Sequence, residues 1–293
     1  MNHAPKITQE MIDLYDEYTH LTLDRRGFMT KLTGLAGSAA AAAAIVPLIA
    51  SDYAQAAMVA PDDPRLTISD VTYAGGAGAV KAYLAMPAER SDKLPGVVVV
   101  HENRGLNPHI KDVTRRLALD GFVALGVDLL SRAGGTPASD EEAAKMFQTV
   151  DRGGLVVDAV AAVPYLAGRA ETNGRIGAVG FCFGGGIVNL MAVNSADLGA
   201  AVAYYGAQPP AEDVPRIKAR LMLHYAGLDQ RIGAGIPAYE AALKAAGVDY
   251  RIFIYEGVNH AFNNDTSAAR YDKAAADLAW SRTVGFLKDT LAS

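Results

Sequence analysis

The chain has 293 residues, of which 51% are apolar and 20% charged, and its formal net charge is −5. That balance suits one folded domain with a sizeable core, and it argues against a nucleic-acid partner, because phosphate binding needs clustered Lys and Arg. Cys182 is the only cysteine, which excludes an internal disulfide and a thiolate-rich metal site.

Residues 7–18 place Ile7, Met11, Leu14, Tyr15 and Tyr18 on one helical face. Residues 24–31 then read Asp-Arg-Arg-Gly-Phe-Met-Thr-Lys, and an alanine-rich, weakly apolar run follows from Leu32 to Ala50. Gly, Ser and Pro47 interrupt that run too often for a spanning helix. Ala54-Gln55-Ala56 offers the small-x-small pattern of a signal-peptidase site. The stretch resembles a twin-arginine export signal, with Asp24 where Ser or Thr is more usual. The expectation is that residues 1–56 are an export segment and linker recognised by the twin-arginine machinery, giving a periplasmic protein. A leader without function would leave it cytoplasmic. A discarded leader has no use for an amphipathic helix, so the alternative is that residues 7–18 dock on the domain or on a partner in an uncleaved chain.

Residues 57–293 read as a single α/β domain without internal repeats. Residues 66–74 and 79–86 alternate like a hairpin of edge strands. Residues 95–100 form a continuous apolar run, the mark of a strand buried on both faces. Asn107 and Pro108 open a helix to about Asp120, and residues 122–127 make the next strand. Ser139-Asp-Glu-Glu142 is a capping box for a helix to about Val150, and 154–167 is another helix. Strands at 175–181, 199–205, 220–225 and 250–255 alternate with helices at 184–193, 236–246 and 268–290. Such alternation predicts a mostly parallel central sheet flanked by helices, with ligands beyond the carboxyl ends of the strands.

Cys182 lies in Gly-Phe-Cys-Phe-Gly-Gly-Gly between a predicted strand and an apolar helix. A Gly-x-Cys-x-Gly turn is the cysteine form of a nucleophile elbow, and a helix N-terminus behind the sulfur favours negative charge there. Nucleophilic acyl transfer needs an attacking atom, a base and a group that orients the base. Cys182, Asp229 and His260 occur in the order nucleophile, acid, histidine, each just after a predicted strand. His101-Glu-Asn-Arg-Gly105 ends the 95–100 strand, where this architecture supplies an oxyanion amide, so Asn103 and Phe183 are assigned the two backbone donors. The six histidines, at 3, 20, 101, 109, 224 and 260, show no metal-ligand spacing. His224 lies inside an apolar strand and reads as a hydrogen-bonded core residue.

Glu102, the cysteine elbow, Asp229 and Asn259-His-Ala-Phe262 together resemble the dienelactone hydrolase family, from about residue 66 to the carboxyl terminus. The resemblance implies an α/β-hydrolase fold without a large lid domain, a monomer without cofactor, and a carboxymethylenebutenolidase-like hydrolase of a small ester or lactone. It implies a Cys182–Asp229–His260 triad and a Glu102 carboxylate that holds the resting thiol in check. The family's dienelactone-cleaving members place a substrate-binding arginine four residues after the catalytic histidine. Asn264 stands there instead; Arg104, first, and Arg132 and Arg231 are the candidate substitutes, each of which also reads as a surface or structural charge. Two rivals remain: a short-chain carboxylesterase or thioesterase of the same fold, and a non-catalytic binding protein on this scaffold.

Overall fold

The computed structural model describes residues 6–20, 22–52 and 57–292. The apolar runs form eight strands: β1 (Leu66–Gly75), β2 (Gly78–Pro87), β3 (Leu94–Val100), β4 (Val123–Val127), β5 (Thr172–Phe181), β6 (Leu198–Tyr204), β7 (Arg220–Ala226) and β8 (Tyr250–Tyr255). They make one sheet in the order β1-β2-β4-β3-β5-β6-β7-β8. The β1–β2 and β2–β4 pairs are antiparallel, and every pair from β4 to β8 is parallel. The winding direction reverses around β3, and ligands of such sheets bind at that switch point. Only β1 of the expected edge hairpin is an edge: β2 pairs with β4 through Ala82 to Ala85, and its second half is buried. That pairing is to a strand about forty positions away, so local alternation did not reveal it.

Among the described residues are ten α-helices, α1 (Gln9–Thr19), α2 (Arg25–Ala36), α3 (Ala39–Ile49), α4 (Pro108–Leu119), α5 (Asp140–Thr149), α6 (Arg152–Ala167), α7 (Phe183–Asn194), α8 (Gln230–Gly233), α9 (Ile236–Ala246) and α10 (Lys273–Leu291), and two short 3-10 helices. Asn107 and Ser139 cap α4 and α5 as expected. The last helix starts at Lys273 rather than 268, because Ser267–Arg270 closes a separate turn and the Asp272 side chain caps α10 on the Ala275 amide. The apolar run of β3 explains the layering. Val98 and Val100 pack with Leu155 and Val188 on one face, while Val97 and Val99 pack with Ile110 and Leu287 on the other.

The amino-terminal helices build a third apolar cluster. Met11, Leu14 and Tyr15 of α1 are buried against Phe28 and Leu32 of α2 and Ile45 of α3, with Ile7 and Tyr18 partly covered. The Arg25-Arg26 stretch is the first turn of α2. Among the bonds that tie this segment to the sheet domain are Gln9 to the Asn259 side chain, Asn103 Nδ2 to Thr19 O at 2.5 Å, Asp52 N to Thr266 O at 2.6 Å, and Arg25 to Glu141 at 2.9 Å. Residues 7–18 therefore dock on the domain of their own chain. No single helix among the described residues is long and apolar enough to cross a membrane. The Ala54-Gln55-Ala56 motif lies outside the described residues.

Candidate active site

Cys182 caps α7 with φ 55° and ψ −117°, a conformation that L-residues rarely adopt. The turn is possible because its neighbours lack a Cβ: one on Gly184 would lie 2.3 Å from Val100 O, and one on Gly180 would lie 2.2 Å from Gly184 O. Tyr205 and Ala261 are the other non-glycine residues with positive φ among the described residues, and both stand beside the same site. Strain of this kind persists where the surrounding structure over-determines it, and functional sites are where it gathers. Cys182 as a residue is 7% exposed, so it is nearly enclosed but not sealed.

Asp229 follows β7 and caps α8, accepting from the Ile232 amide at 3.1 Å. Its other oxygen accepts from His260 Nδ1 at 2.5 Å. Burial by itself would raise the carboxyl, but the hydrogen bond and charge of His260, the Ile232 amide and Arg231 hold it below the usual carboxylate range. With Nδ1 committed, His260 presents Nε2 to the site, and that buried nitrogen has no hydrogen-bond partner among the described residues. The Tyr205 ring packs on the imidazole with centroids 4.8 Å apart.

The nearest described partner of the sulfur is a residue the sequence reading did not assign. His20 Nε2 stands 3.2 Å from Cys182 Sγ. His20 is the C-cap of α1, and its Nδ1 bonds Asp16 O at 2.8 Å and pairs with Asp16 Oδ2 at 3.3 Å. Burial opposes a charge on this ring, yet the sulfur of Cys182 and the hydrogen bonds to Asp16 and Cys182 outweigh it and push its pKa up to about 9. Asp16, despite its burial, is held well below the usual carboxylate range by His260 and His20. The His20 and His260 rings meet edge to face, centroids 4.7 Å apart. One donor atom each from His20, Cys182 and His260 lies within 4.8 Å of the others, close enough to close on a soft cation. The hydrogen bonds these groups already make suit proton transfer. His20 and Asp16 were missed because 162 positions separate His20 from the sulfur. The one signal available was the apolar face of α1, whose docking carries its C-terminus into the site.

The remaining expected residues gather here with altered partners. Glu102 is buried, but its Oε2 accepts from Asn264 Nδ2 at 2.9 Å, and the thiol's neighbour is His20. Asn264 also accepts from Thr266, which locks the amide orientation. Asn103 and Phe183 line the same cavity as Cys182 and His260. Phe183 is the first residue of α7, so its amide has no carbonyl to bond within the helix. Arg104 donates to Asn103 O at 3.0 Å and lines a small recess shared with Glu102 and Cys182. Arg132 is bound to Asp158 and is structural. His224 bonds Tyr255 Oη and Thr283 Oγ1, and burial and Arg282 push its pKa down to about 3, as befits a core histidine. A cavity of about 390 Å³ opens on the sulfur, walled by Phe147, Phe183, Ile187, Leu190 and Tyr205, with Arg152 and Arg231 also lining it.

A model of the dienelactone hydrolase family matches residues 80–291, and a second, described as YqhI-like, matches residues 2–37. Among curated relatives, a candidate carboxymethylenebutenolidase of Saccharolobus solfataricus is 30% identical over 257 residues, covering 75% of this chain and 97% of its own. YghX of Escherichia coli, described as a candidate hydrolase fragment, is 46% identical over 112 residues, covering 38% of this chain and 96% of its own. The solved structure of a dienelactone hydrolase-like promiscuous phosphotriesterase from metagenomic libraries is 27% identical, covers 78% of this chain and all of its own, and superposes with a TM-score of 0.70.

Proposed function

The chain belongs to the dienelactone hydrolase family, and we propose that it cleaves a small lactone or ester through Cys182. The observation that carries this reading is the Asp229–His260 hydrogen bond standing beside a strained cysteine elbow. The sulfur attacks the carbonyl, and the oxyanion rests on the Asn103 and Phe183 amides. Each such donor contributes about 3–4 kcal/mol where it has been removed in other hydrolases. Water activated by His260 then cleaves the thioester. A thiolate leaves more readily than an alkoxide, so activated esters and lactones with stabilised leaving groups fit best. The mostly apolar cavity supports an uncharged substrate body. With Asn264 engaged by Glu102, any substrate carboxylate falls to Arg104 or Arg231.

Replacing Cys182 by Ala tests the reading. It removes hydrolysis of an aryl acetate while the circular dichroism stays unchanged, and full activity in that variant would end the proposal. A panel of lactones, esters and thioesters sorts this enzyme from a carboxylesterase or thioesterase, and no thiol-dependent hydrolysis of any of them identifies a binding protein. Export by the twin-arginine route to the periplasm is a separate proposal, as is a monomeric state. The intact mass of the protein recovered from cells tests the first, because processing after Ala56 would remove α1–α3.

A further inference from the structure

Two imidazoles, each held by its own carboxylate, converge on one sulfur. His260 belongs to Asp229 and leaves Nε2 without a partner. His20 belongs to Asp16 and has Nε2 3.2 Å from the sulfur. The family model for the hydrolase begins at residue 80, so His20 is brought by a segment outside it. We propose that His20 is a catalytic residue, the cationic partner that holds Cys182 as a thiolate at rest and protonates the leaving group, and that it leaves His260 free for proton transfer with water.

The inference rests on the reading of Cys182 as the nucleophile, and three further observations carry it. First, His20 is the C-cap of α1, where the helix end favours a protonated ring, while Cys182 stands at the N-terminus of α7, which favours a negative sulfur. Two helix ends thus polarise one contact in the same sense. Second, Nδ1 of His20 faces an oxygen-only environment, Asp16 O and Oδ2, and must carry a hydrogen. The raised pKa of the ring agrees with this geometry. Third, His20 does not stopper the site. The cavity of about 390 Å³ is bounded by His20, Cys182 and His260 together, so His20 is wall and space remains beside the sulfur.

The groups facing His20 are Asp16 on its own helix and Cys182 and His260 in contact with it. Around the same recesses stand Glu102, Asp140, Asp229, Arg104, Arg231 and Arg270, with the phenols of Tyr15 and Tyr205. The proton account closes. The thiolate forms the C–S bond and the carbonyl becomes an oxyanion. Collapse breaks the C–O bond, and the alkoxide takes the His20 proton. Water gives one proton to His260 Nε2 and its hydroxyl to the acyl carbon, and the C–S bond breaks to release thiolate. The His260 proton returns to His20 across the contact between the rings, and the carboxylic acid ionises into solvent.

The test reads the sulfur without any ester. Iodoacetamide alkylation of Cys182 is followed from pH 5 to 10 in the full-length wild type, His20→Gln, Asp16→Asn and His260→Gln. In the wild type the reaction persists at pH 6. In His20→Gln its pH profile moves upward by at least one unit, so labelling at pH 6 falls about tenfold or more relative to pH 10, toward the behaviour of an ordinary thiol. Asp16→Asn keeps the ring and moves the profile in the same direction by less. His260→Gln leaves the profile in place but loses ester turnover. The position of the profile, not the absolute rate, is the readout, because removing His20 also widens access to the sulfur. An unmoved profile in His20→Gln, a shift in His260→Gln instead, or faster ester turnover in His20→Gln would overturn the proposal, the last by making α1 a brake. Ester hydrolysis surviving in Cys182→Ala would defeat the nucleophile reading while leaving the alkylation profile measurable.

Discussion

If His20 is cationic in the fold, raising the pH should loosen the molecule in a way one substitution abolishes. Its pKa rises from the ordinary 6.5 to about 9 on folding, with burial opposing and the sulfur and Asp16 favouring the charge. A pKa raised in the folded state stabilises fully below the unfolded value and is lost as pH climbs through the folded one, so the window runs from about 6.5 to about 9. At about 1.4 kcal/mol per pH unit, the full contribution is about 3 kcal/mol near pH 6 and falls below about half a kcal/mol at pH 9. Urea unfolding of wild type and His20→Gln at pH 6 to 10, followed by fluorescence of Trp280 and by helix dichroism, reads it. The stability gap between the two proteins should shrink as the pH climbs through about 9, on top of a constant packing loss. A gap that stays flat refutes the cationic ring. A gap that widens with pH means the ring sits neutral and accepts the thiol proton.

Two further outcomes follow from the elbow and the triad. Gly184→Ala would put a methyl 2.3 Å from Val100 O and 2.5 Å from His101 O, both backbone. It should cost about 1–3 kcal/mol or more in a denaturant melt, and unchanged stability would contradict the packing described for the turn. Asp229→Asn keeps the shape but leaves His260 in the wrong tautomer, so turnover of an aryl acetate should fall by about 10²–10⁴ with the melt little altered. A turnover within threefold of wild type would show that Asp229 does not orient the base.

The parts of the site that were legible in the sequence share a physical feature: each is announced by its own neighbours. Cys182 stands among glycines that the sharp turn requires, and Asp229 and His260 each follow an apolar strand that delivers them to the same rim. Glu102 was legible in position but not in partner, since the Asn264 amide that holds it lies 162 positions away. The β2 strand failed as an edge for the same reason, its second neighbour being set by register with β4. His20 was least legible. Nothing near it in the chain marks a chemical role, and only the burial of Met11, Leu14 and Tyr15 turns α1 so that its last turn meets the elbow.

A cysteine hydrolase needs a cation beside its sulfur at rest and a neutral base beside its water later in the cycle. A single imidazole must change charge between the two duties, and its proton must be cleared before water can be activated. Here the duties are separable, because one ring touches the sulfur and the other has a buried, unengaged nitrogen at the cavity. Separation has a structural cost: the helix carrying the first ring must stay attached. The bonds from Asn103 to Thr19 and from Gln9 to Asn259 attach it at residues adjoining the active-site groups themselves. Detaching α1 therefore disturbs the oxyanion loop and the His260 loop as well as the sulfur. It follows that loss of residues 1–56 should cost more activity than His20→Gln does. The same truncation with activity at or above the intact chain would mean that the hydrolase domain is complete without its amino-terminal helices.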